Sequence, residues 1–402
     1  MDREDPLASF RNEFELADGL VYLDGNSLGA MPKAAAERAS EVVHQEWGKD
    51  LIESWNKAGW FQMPEVLGDK IAQLIGAEPG EVVVTDSTGI NLYKVLYAAL
   101  SLNRSRDVIV MEGSNFPTDN YVVQGLVEQM GDQYQLKFVE EDEIFDALSD
   151  EVAVLCLTQV HYKSGRVLDM QAITAAAQAQ SIVVIWDLCH SAGAFEVDLN
   201  GCNADLAIGC TYKYLNGGPG SPAFIFLAQR HHGKALQPLT GWWGHAAPFA
   251  FERDYRPAEG ILQMRSGTQP ILSLAVAEVG LDMFLRADMR QIREKSQRLT
   301  SLFIQLVEGR CGEDGFELVS PRDAEARGSQ VSFDHENGYA IVQALIAAGV
   351  VGDFRAPSNM RFGFTPLYIR YVDVWDAVDR LHEIMRSGLW QEQRFHQRGA
   401  VT

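Results

Sequence analysis

The chain has 402 residues, 47% of them hydrophobic, and a formal net charge of −21 at pH 7. A chain of this length can bury an ample core, and we expect two domains rather than one. The acidic balance argues against a nucleic-acid partner, because a polyanion requires a basic surface, and no uncharged stretch reaches the roughly 18 apolar residues that a membrane span needs.

Short and long apolar runs alternate through the first half of the chain. The short runs predict strands and the longer, periodic runs predict helices. In chain order, strands are predicted at 81–85, 107–112, 152–158, 182–186 and 206–210, and helices at 90–100, 119–130 and 169–180. This alternation predicts an α/β fold with a mostly parallel central sheet flanked by helices. Ligands of such sheets gather at the carboxyl ends of the strands.

Ser87, Thr88 and Gly89 stand directly before the first predicted helix. Their hydroxyl and backbone N–H groups can face an anion at the helix amino terminus, so the segment is a candidate phosphate site. The helix dipole contributes only about 0.3 to 2 kcal/mol there, and a second attachment has to hold the ligand. An ordinary N-cap is the alternative interpretation of these three residues.

Asp187 and Lys213 follow two successive predicted strands. Pyridoxal phosphate (PLP) requires an amine that binds it covalently and a carboxylate beside its pyridine nitrogen. We therefore predict that PLP is covalently bound to Lys213 and that Asp187 keeps the ring nitrogen protonated. The alternative is a strand-end cap and a surface lysine. The buried strand before Asp187 and the glycine-rich segment 217–220 after Lys213 argue against that alternative.

The pattern changes beyond about residue 300. A strand at 329–335, a helix at 339–349 and a final amphipathic helix around Val374, Val378 and Leu381 predict a smaller α+β domain. We expect the large domain to cover 46–300, and the smaller one to combine 1–45 with 301–402.

Several segments, taken together and in this order, resemble kynureninase over nearly the whole chain. They include YLDGNSLG (22–29), NFPTDNY (115–121), WDLCH (186–190), TYKYLNGGPG (211–220) and MRSGTQP (264–270). The lysine segment alone resembles the wider aspartate-aminotransferase-like, fold type I group of PLP enzymes. The resemblance therefore implies a fold type I, PLP-dependent transferase-like fold.

The resemblance also implies which residues contact PLP. Phe116 is expected to stack on the pyridine ring, and Gly89 stands where related sequences often carry a hydroxyl residue, so only its backbone can donate. Trp242 and Thr268 are expected to reach the phosphate from a neighbouring subunit, which implies a homodimer with its sites at the subunit interface. The full set of expected cofactor contacts is Thr88, Gly89, Phe116, Pro117, Thr118, Asp119, Thr158, Asp187, His190, Tyr212, Lys213, Trp242 and Thr268.

An amino-acid substrate needs a donor for its α-carboxylate, and a planar guanidinium suits that group. By resemblance the donor is Arg361 in MRFGFTPLY, and Arg355 and Arg370 are nearby competitors. Asn26 and Ser27 are expected to approach the substrate, with a tight glycine turn as the alternative.

The implied reaction is the hydrolytic cleavage of the Cβ–Cγ bond of L-kynurenine, or of its 3-hydroxy derivative, in tryptophan catabolism. The products are anthranilate, or 3-hydroxyanthranilate, and L-alanine. Lys213 is expected to remove the α-proton, Asp187 to keep the cofactor ring cationic, and Tyr212 to relay protons at the γ-carbonyl. Trp60 and Phe61 are candidates for an aryl pocket, and core packing is the alternative.

Two other functions stay open at this point. One is an aminotransferase or a cysteine desulfurase, and the other is a non-catalytic PLP-binding regulatory protein. A desulfurase needs a reactive cysteine after the lysine, and only Cys311 follows it, near Glu313 and Asp314 rather than cations.

The cysteines and histidines indicate no further chemistry. The five cysteines show neither a disulfide framework nor zinc spacing, which favours a reducing, cytoplasmic location. The histidines at 231, 232 and 245 lack acidic or cysteine partners at ligand spacing, so no metal is expected.

Overall fold

The computed structural model of the protein describes residues 1–399. Its strands are β1 (Val21–Tyr22), β2 (Val82–Val84), β3 (Val108–Glu112), β4 (Gln135–Val139), β5 (Val152–Thr158), β6 (Val183–Asp187), β7 (Leu206–Gly209), β8 (Phe224–Leu227), β9 (Glu317–Leu318), β10 (Gln330–Asp334), β11 (Val350–Val351), β12 (Asp353–Arg355) and β13 (Asn359–Gly363). Its α-helices are α1 (Lys33–Glu41), α2 (Ser54–Lys57), α3 (Met63–Leu74), α4 (Thr88–Leu102), α5 (Pro117–Met130), α6 (Met170–Ala179), α7 (Ile271–Arg286), α8 (Met289–Cys311), α9 (Gly338–Ala347) and α10 (Tyr371–Ser387). None of the helices in this described part is long and apolar enough to cross a bilayer.

The central sheet has seven strands and is mostly parallel, which confirms the prediction. Its strand order is β2-β8-β7-β6-β5-β3-β4, and β8 runs antiparallel to both of its neighbours, β2 and β7, while the other pairs are parallel. Alternate side chains enter two different cores, since Val83 packs with Leu92 of α4 while Val82 and Val84 belong to the core on the opposite face. Helices thus cover both faces, and for this reason β5 and β6 are buried along their whole length.

Each strand and helix predicted from periodicity is present, with bounds that differ by a few residues. The predicted strand at 152–158 is β5, and the final amphipathic helix is α10. The predictions did not include β4 or β8 of the central sheet, nor the short strands β1, β9, β11, β12 and β13.

The carboxyl-terminal part forms a four-stranded antiparallel sheet in the order β12-β13-β10-β9. The amino-terminal segment joins this part, because β1 pairs with β11 and Asp24 forms a bridge with Gly363. Residue 300, the predicted boundary between domains, lies inside α8. The domain limits of 46–300 against 1–45 and 301–402 stay a prediction.

Candidate active site

Lys213 and Asp187 lie close to the carboxyl ends of two neighbouring parallel strands. β6 ends at Asp187, which lies opposite Ile208 of β7. Lys213 follows the end of β7 after a short turn, and both side chains line one cavity of about 500 Å³. A cavity of this size is typical of a small-molecule or cofactor site, so the two side chains can reach the same ligand.

The same cavity collects most of the residues predicted from the sequence. Besides Lys213 and Asp187, those that line it are Asn26, Ser27, Ser87, Thr88, Gly89, Phe116, Thr118, Asp119, Thr158, His190, Tyr212 and Arg361. Tyr162, Asp86 and Cys189 also line it and were not predicted.

Three predicted residues do not line the cavity of their own chain. Pro117 is the first residue of α5, where its fixed φ suits the helix start. Trp242 is 41% exposed and packs on Trp243 with ring centroids 5.1 Å apart, and Thr268 is exposed as well. Their expected contact with a neighbouring subunit's cofactor stays a prediction.

Asp119 and Asp187 form a buried pair of carboxyl groups. Burial, and then the adjacent Asp187, raise the pKa of Asp119 well above its ordinary value. Asn115, which the sequence reasoning missed, donates to Asp119 Oδ2 at 3.1 Å and accepts from the Thr158 hydroxyl. The backbone N–H of Cys189 donates to Asp187 Oδ1 at 2.6 Å. Simultaneous ionisation of the two carboxyl groups is therefore disfavoured, and Asp187 lies where a protonated ring nitrogen would pair with it.

His190 and Tyr212 both stay neutral beside Lys213. Burial, and then the cations Lys213 and Arg361, lower the pKa of His190 well below its ordinary value. Its Nε2 lies 3.4 Å from Lys213 Nζ. Burial is also the largest cause that raises the pKa of Tyr212. At neutral pH the imidazole is therefore uncharged and can accept a hydrogen bond, and the phenol keeps its proton.

An ion pair between the buried Lys94 and the half-buried Asp86 lies next to the predicted phosphate site. α4 begins at Thr88, and Ser87 precedes it without a side-chain capping bond. The hydroxyl groups and first-turn N–H groups thus suit an anion. Asp86, in the left-handed region with a φ of 43°, accepts from Lys94, whose side chain is fully buried and also donates to the Met264 carbonyl at 2.7 Å. A charged residue on the apolar face of α4 was the signal that could have revealed Lys94.

Phe116 and Tyr162 form an aromatic corner above the lysine. Their rings meet edge to face, with centroids 5.2 Å apart, and Lys213 Nζ lies 6.0 Å from the Phe116 centroid. Phe116 is 42% exposed, so its ring is accessible to a planar ligand. This arrangement fits the predicted stacking on a pyridine ring.

The amino-terminal DGNSLG loop packs directly on the lysine segment. Gly29 N–H donates to the Tyr212 carbonyl at 2.7 Å. A Cβ atom at Gly29 would lie 2.3 Å from the Lys213 carbonyl oxygen, so only glycine permits this approach. The contact brings Asn26 and Ser27 into the cavity. The glycine contact is thus present, and the approach of Asn26 and Ser27 to the substrate stays a prediction.

Arg361 enters the cavity from the small sheet. It is only 2% exposed and lies opposite Asp353 in the β12–β13 pairing. Asp353 accepts from Arg361 Nε at 2.9 Å and also pairs with Arg355, at 2.7 Å. Arg355 lines the cavity as well, whereas Arg370 pairs with Asp373 and does not line it.

Trp60 and Phe61 do not line this cavity. Trp60 is buried and donates to Glu46 at 2.6 Å, and Phe61 stacks on Trp243 with centroids 5.5 Å apart. Within one chain their role is packing, which was the alternative to the aryl pocket.

His231 and Cys311 lie away from the cavity. His231 contacts Asp205 at 2.7 Å, and no group of three metal-ligating side chains occurs within residues 1–399. Cys311 lies at the end of α8, where burial raises its pKa to about 11. A thiol of this kind does not form the thiolate that a desulfurase needs.

Comparison with known proteins relates the chain to named enzymes. The Kynureninase C-terminal domain family matches residues 292–381. Kynureninases from Burkholderia pseudomallei (strain 1106a) and Pseudomonas fluorescens are each 52% identical over 407 residues, covering 100% of this chain and 98% of each relative. Among solved structures, a C-DES variant with glycine covalently linked to its PLP cofactor is similar at a TM-score of 0.80 and 16% identity, over 93% of this chain and 99% of that one.

Proposed function

Because the chain belongs to the kynureninase family, we propose roles for its cavity residues in the reaction of that family. The protein is a PLP enzyme of fold type I that hydrolyses the Cβ–Cγ bond of L-kynurenine to anthranilate and L-alanine. The observation that carries the assignment of roles is that Lys213, Asp187 and Arg361 line one cavity. A desulfurase reaction is less supported, since Cys311 is buried outside that cavity.

The cofactor half of the site consists of residues at the ends of the central strands. Bound PLP supplies an electron sink that stabilises negative charge at the substrate's α-carbon. In our proposal Lys213 holds it covalently, and Asp187 keeps its ring nitrogen protonated. Thr88 and Gly89 donate to the phosphate at the start of α4, and Phe116 covers one face of the ring.

In our proposal Lys213 and Tyr212 carry out the proton transfers. Lys213, in its neutral form, removes the α-proton of the substrate, and the low pKa of His190 leaves an uncharged imidazole beside the amine. Tyr212 retains its phenolic proton because burial raises its pKa. We assign to it the proton donation to the γ-carbonyl oxygen when water adds to that carbon.

Arg361 binds the substrate's α-carboxylate in this proposal, and Asn26 and Ser27 contact the substrate from the DGNSLG loop. The guanidinium is nearly inaccessible to bulk water, which strengthens its attraction for an anion that enters the cavity.

We also propose a cytoplasmic homodimer whose sites lie at the subunit interface. Trp242, Phe249 and Phe251 are 41%, 65% and 84% exposed, and exposed aromatic side chains of this kind favour a protein interface. Trp242 and Thr268 would then reach the partner's phosphate. All five cysteines are free thiols, which is typical of a reducing compartment.

The test of the function is turnover of L-kynurenine by the purified protein with PLP. We expect anthranilate and L-alanine in equal amounts. Lys213→Ala should lose the absorbance of the covalently bound cofactor and sustained turnover, by a factor on the order of a thousand or more. Lys163→Ala, which changes a lysine that does not line the cavity, is the matched control. Transfer of the amino group to a keto acid, or full activity of Lys213→Ala, would contradict the proposal.

A further inference from the structure

The β12–β13 hairpin presents three charged side chains to the cavity side of the small sheet. Asp353 and Arg361 are direct partners in the antiparallel register, and Arg355 lies two residues beyond Asp353 on the same strand. Residues two apart on a strand share a face of the sheet. The hairpin therefore places one carboxylate between two guanidinium groups, which leaves one net positive charge for a ligand.

Four N–H groups of Arg361 already donate to protein acceptors before any substrate binds. A guanidinium has five N–H groups. Nε donates to Asp353 Oδ1 at 2.9 Å, Nη1 donates to the Tyr162 carbonyl at 2.7 Å, and Nη2 donates to Asp353 Oδ2 and to Ser27 Oγ at 3.0 Å. One N–H group, on Nη1, remains. Arg361 alone therefore offers an entering carboxylate a single hydrogen bond rather than a bidentate pair.

Ser27 cannot supply the missing donor in this arrangement. Its hydroxyl proton is directed to Asp353 Oδ2 at 2.7 Å, while its oxygen accepts from Arg361. The hydroxyl can thus only accept a further hydrogen bond, and a carboxylate also only accepts.

Arg355 has the donors that Arg361 lacks. Its Nη2 pairs with Asp353 Oδ2 at 2.7 Å, and its Nη1 makes a long contact of 3.4 Å with the Phe354 carbonyl. Its side chain is 35% exposed and lines the cavity beside Arg361. Its remaining N–H groups can therefore meet a ligand, and Asp353 restricts the position of both guanidinium groups.

We propose that Arg355 is a second binding residue for the substrate's α-carboxylate. Arg355 and the free N–H group of Arg361 donate to the carboxylate together, and Asp353 is the positioning residue for both guanidinium groups. The inference rests on the proposed function of Arg361. A single guanidinium with two free N–H groups would suffice for one carboxylate. Arg361 offers one such group, and this explains why the small sheet carries a second arginine at the cavity.

The experiment compares the holoenzyme with its Arg355→Gln variant. With L-kynurenine, we expect KM to rise about tenfold to a hundredfold while kcat stays within about threefold, because a charge-assisted hydrogen bond present in both ground and transition states is lost. Arg370→Gln, whose guanidinium pairs with Asp373 away from the cavity, is the matched control and should leave both constants unchanged.

A charge-specific readout separates carboxylate binding from a structural role. L-alanine and L-alaninamide differ only in the carboxylate, and their binding is followed through the cofactor absorbance. Arg355→Gln should weaken L-alanine about tenfold or more and leave L-alaninamide within about twofold. Equal weakening of both probes, or no change in L-alanine binding, would overturn the inference.

If the Arg355→Gln variant does not fold, a structure of the wild-type holoenzyme with L-alanine tests the inference instead. We expect a carboxylate oxygen about 3 Å from an Arg355 nitrogen as well as from Arg361, and a carboxylate bound to Arg361 alone would overturn the inference. If the wild-type enzyme did not cleave L-kynurenine at all, the proposed function itself would fail, which is a separate outcome.

Discussion

The two sides of the cavity contain buried aspartates whose acidities are shifted in opposite directions. On the central-sheet side, burial and Asp187 raise the pKa of Asp119. On the hairpin side, burial alone would raise the pKa of Asp353, but hydrogen bonds and charge from Arg361 and Arg355 hold it below its ordinary value. Burial is common to both, so the neighbouring charge decides the direction. Asp119 faces a second carboxyl group, Asp187, whereas Asp353 lies between two guanidinium groups, which suits a ligand with a cationic ring at one end and a carboxylate at the other.

The largest effect should come from removing the charge that faces the cofactor ring. We expect Asp187→Asn to lower kcat/KM by a factor on the order of a thousand, because a neutral amide no longer keeps the ring nitrogen protonated. Asp119→Asn should cost about tenfold or less, since burial and Asp187 favour the protonated form of Asp119 and the amide resembles a neutral carboxyl group. Steady-state kinetics of both holoenzymes measure the difference. Equal losses would mean that the two carboxyl groups share the charge and that the asymmetry is wrong.

A second effect extends the comparison to Asp24, beside the hairpin. Burial, and then Asp353, raise the pKa of Asp24 to about 7. An unfolded aspartic acid titrates near about 4, so the folded state alone holds this proton between those values. The stabilisation is complete below the unfolded pKa and is lost as the pH rises through about 7.

Urea unfolding of the substrate-free protein measures this dependence. Between about pH 5 and about pH 8, the free energy of unfolding of the wild type should fall by up to about 3 kcal/mol relative to Asp24→Asn. Parallel stability curves for the two proteins would show that Asp24 does not carry the proton.

The smallest effect should come from the ion pair behind the phosphate site. Unlike the hairpin arginines, Lys94 is fully enclosed and does not line the cavity, so it acts through its bonds to Asp86 and the Met264 carbonyl and not by direct contact with a ligand. We expect Lys94→Met to weaken PLP about tenfold, with kcat at saturating PLP within about threefold. Equilibrium dialysis measures the affinity. The double variant with Asp86→Asn should recover part of the loss, and an unchanged affinity in Lys94→Met would show that the pair does not position the turn.

The sequence predicted the elements that follow one another along the chain. The strands β5, β6 and β7 and the helix α4 were predicted because continuous apolar runs and helical periodicity are local features. β8 was not predicted, although it pairs with both β2 and β7. It follows a glycine-rich segment, and its position between β2 and β7 is not a local feature of the chain.

Among the residues of the site, too, some could be expected from the sequence and others could not. Asp187 and Lys213 belong to strand ends that parallel pairing brings together, so their common cavity could be expected. Lys94, Asn115 and Asp353 were missed, since each acts through a partner that only a turn or a strand register brings near.

The sequence by itself determined the fold class, the family and the lysine, carboxylate and arginine that line one cavity, because local patterns and motifs carry that information. Only the tertiary structure decided in which direction the pKa of each buried aspartate is shifted, how many N–H groups of Arg361 remain for a substrate, and that Arg355 stands beside it. Acidity and hydrogen-bond capacity depend on burial and on neighbours that are distant in the chain, and those exist only once the strands have paired and the loops have packed.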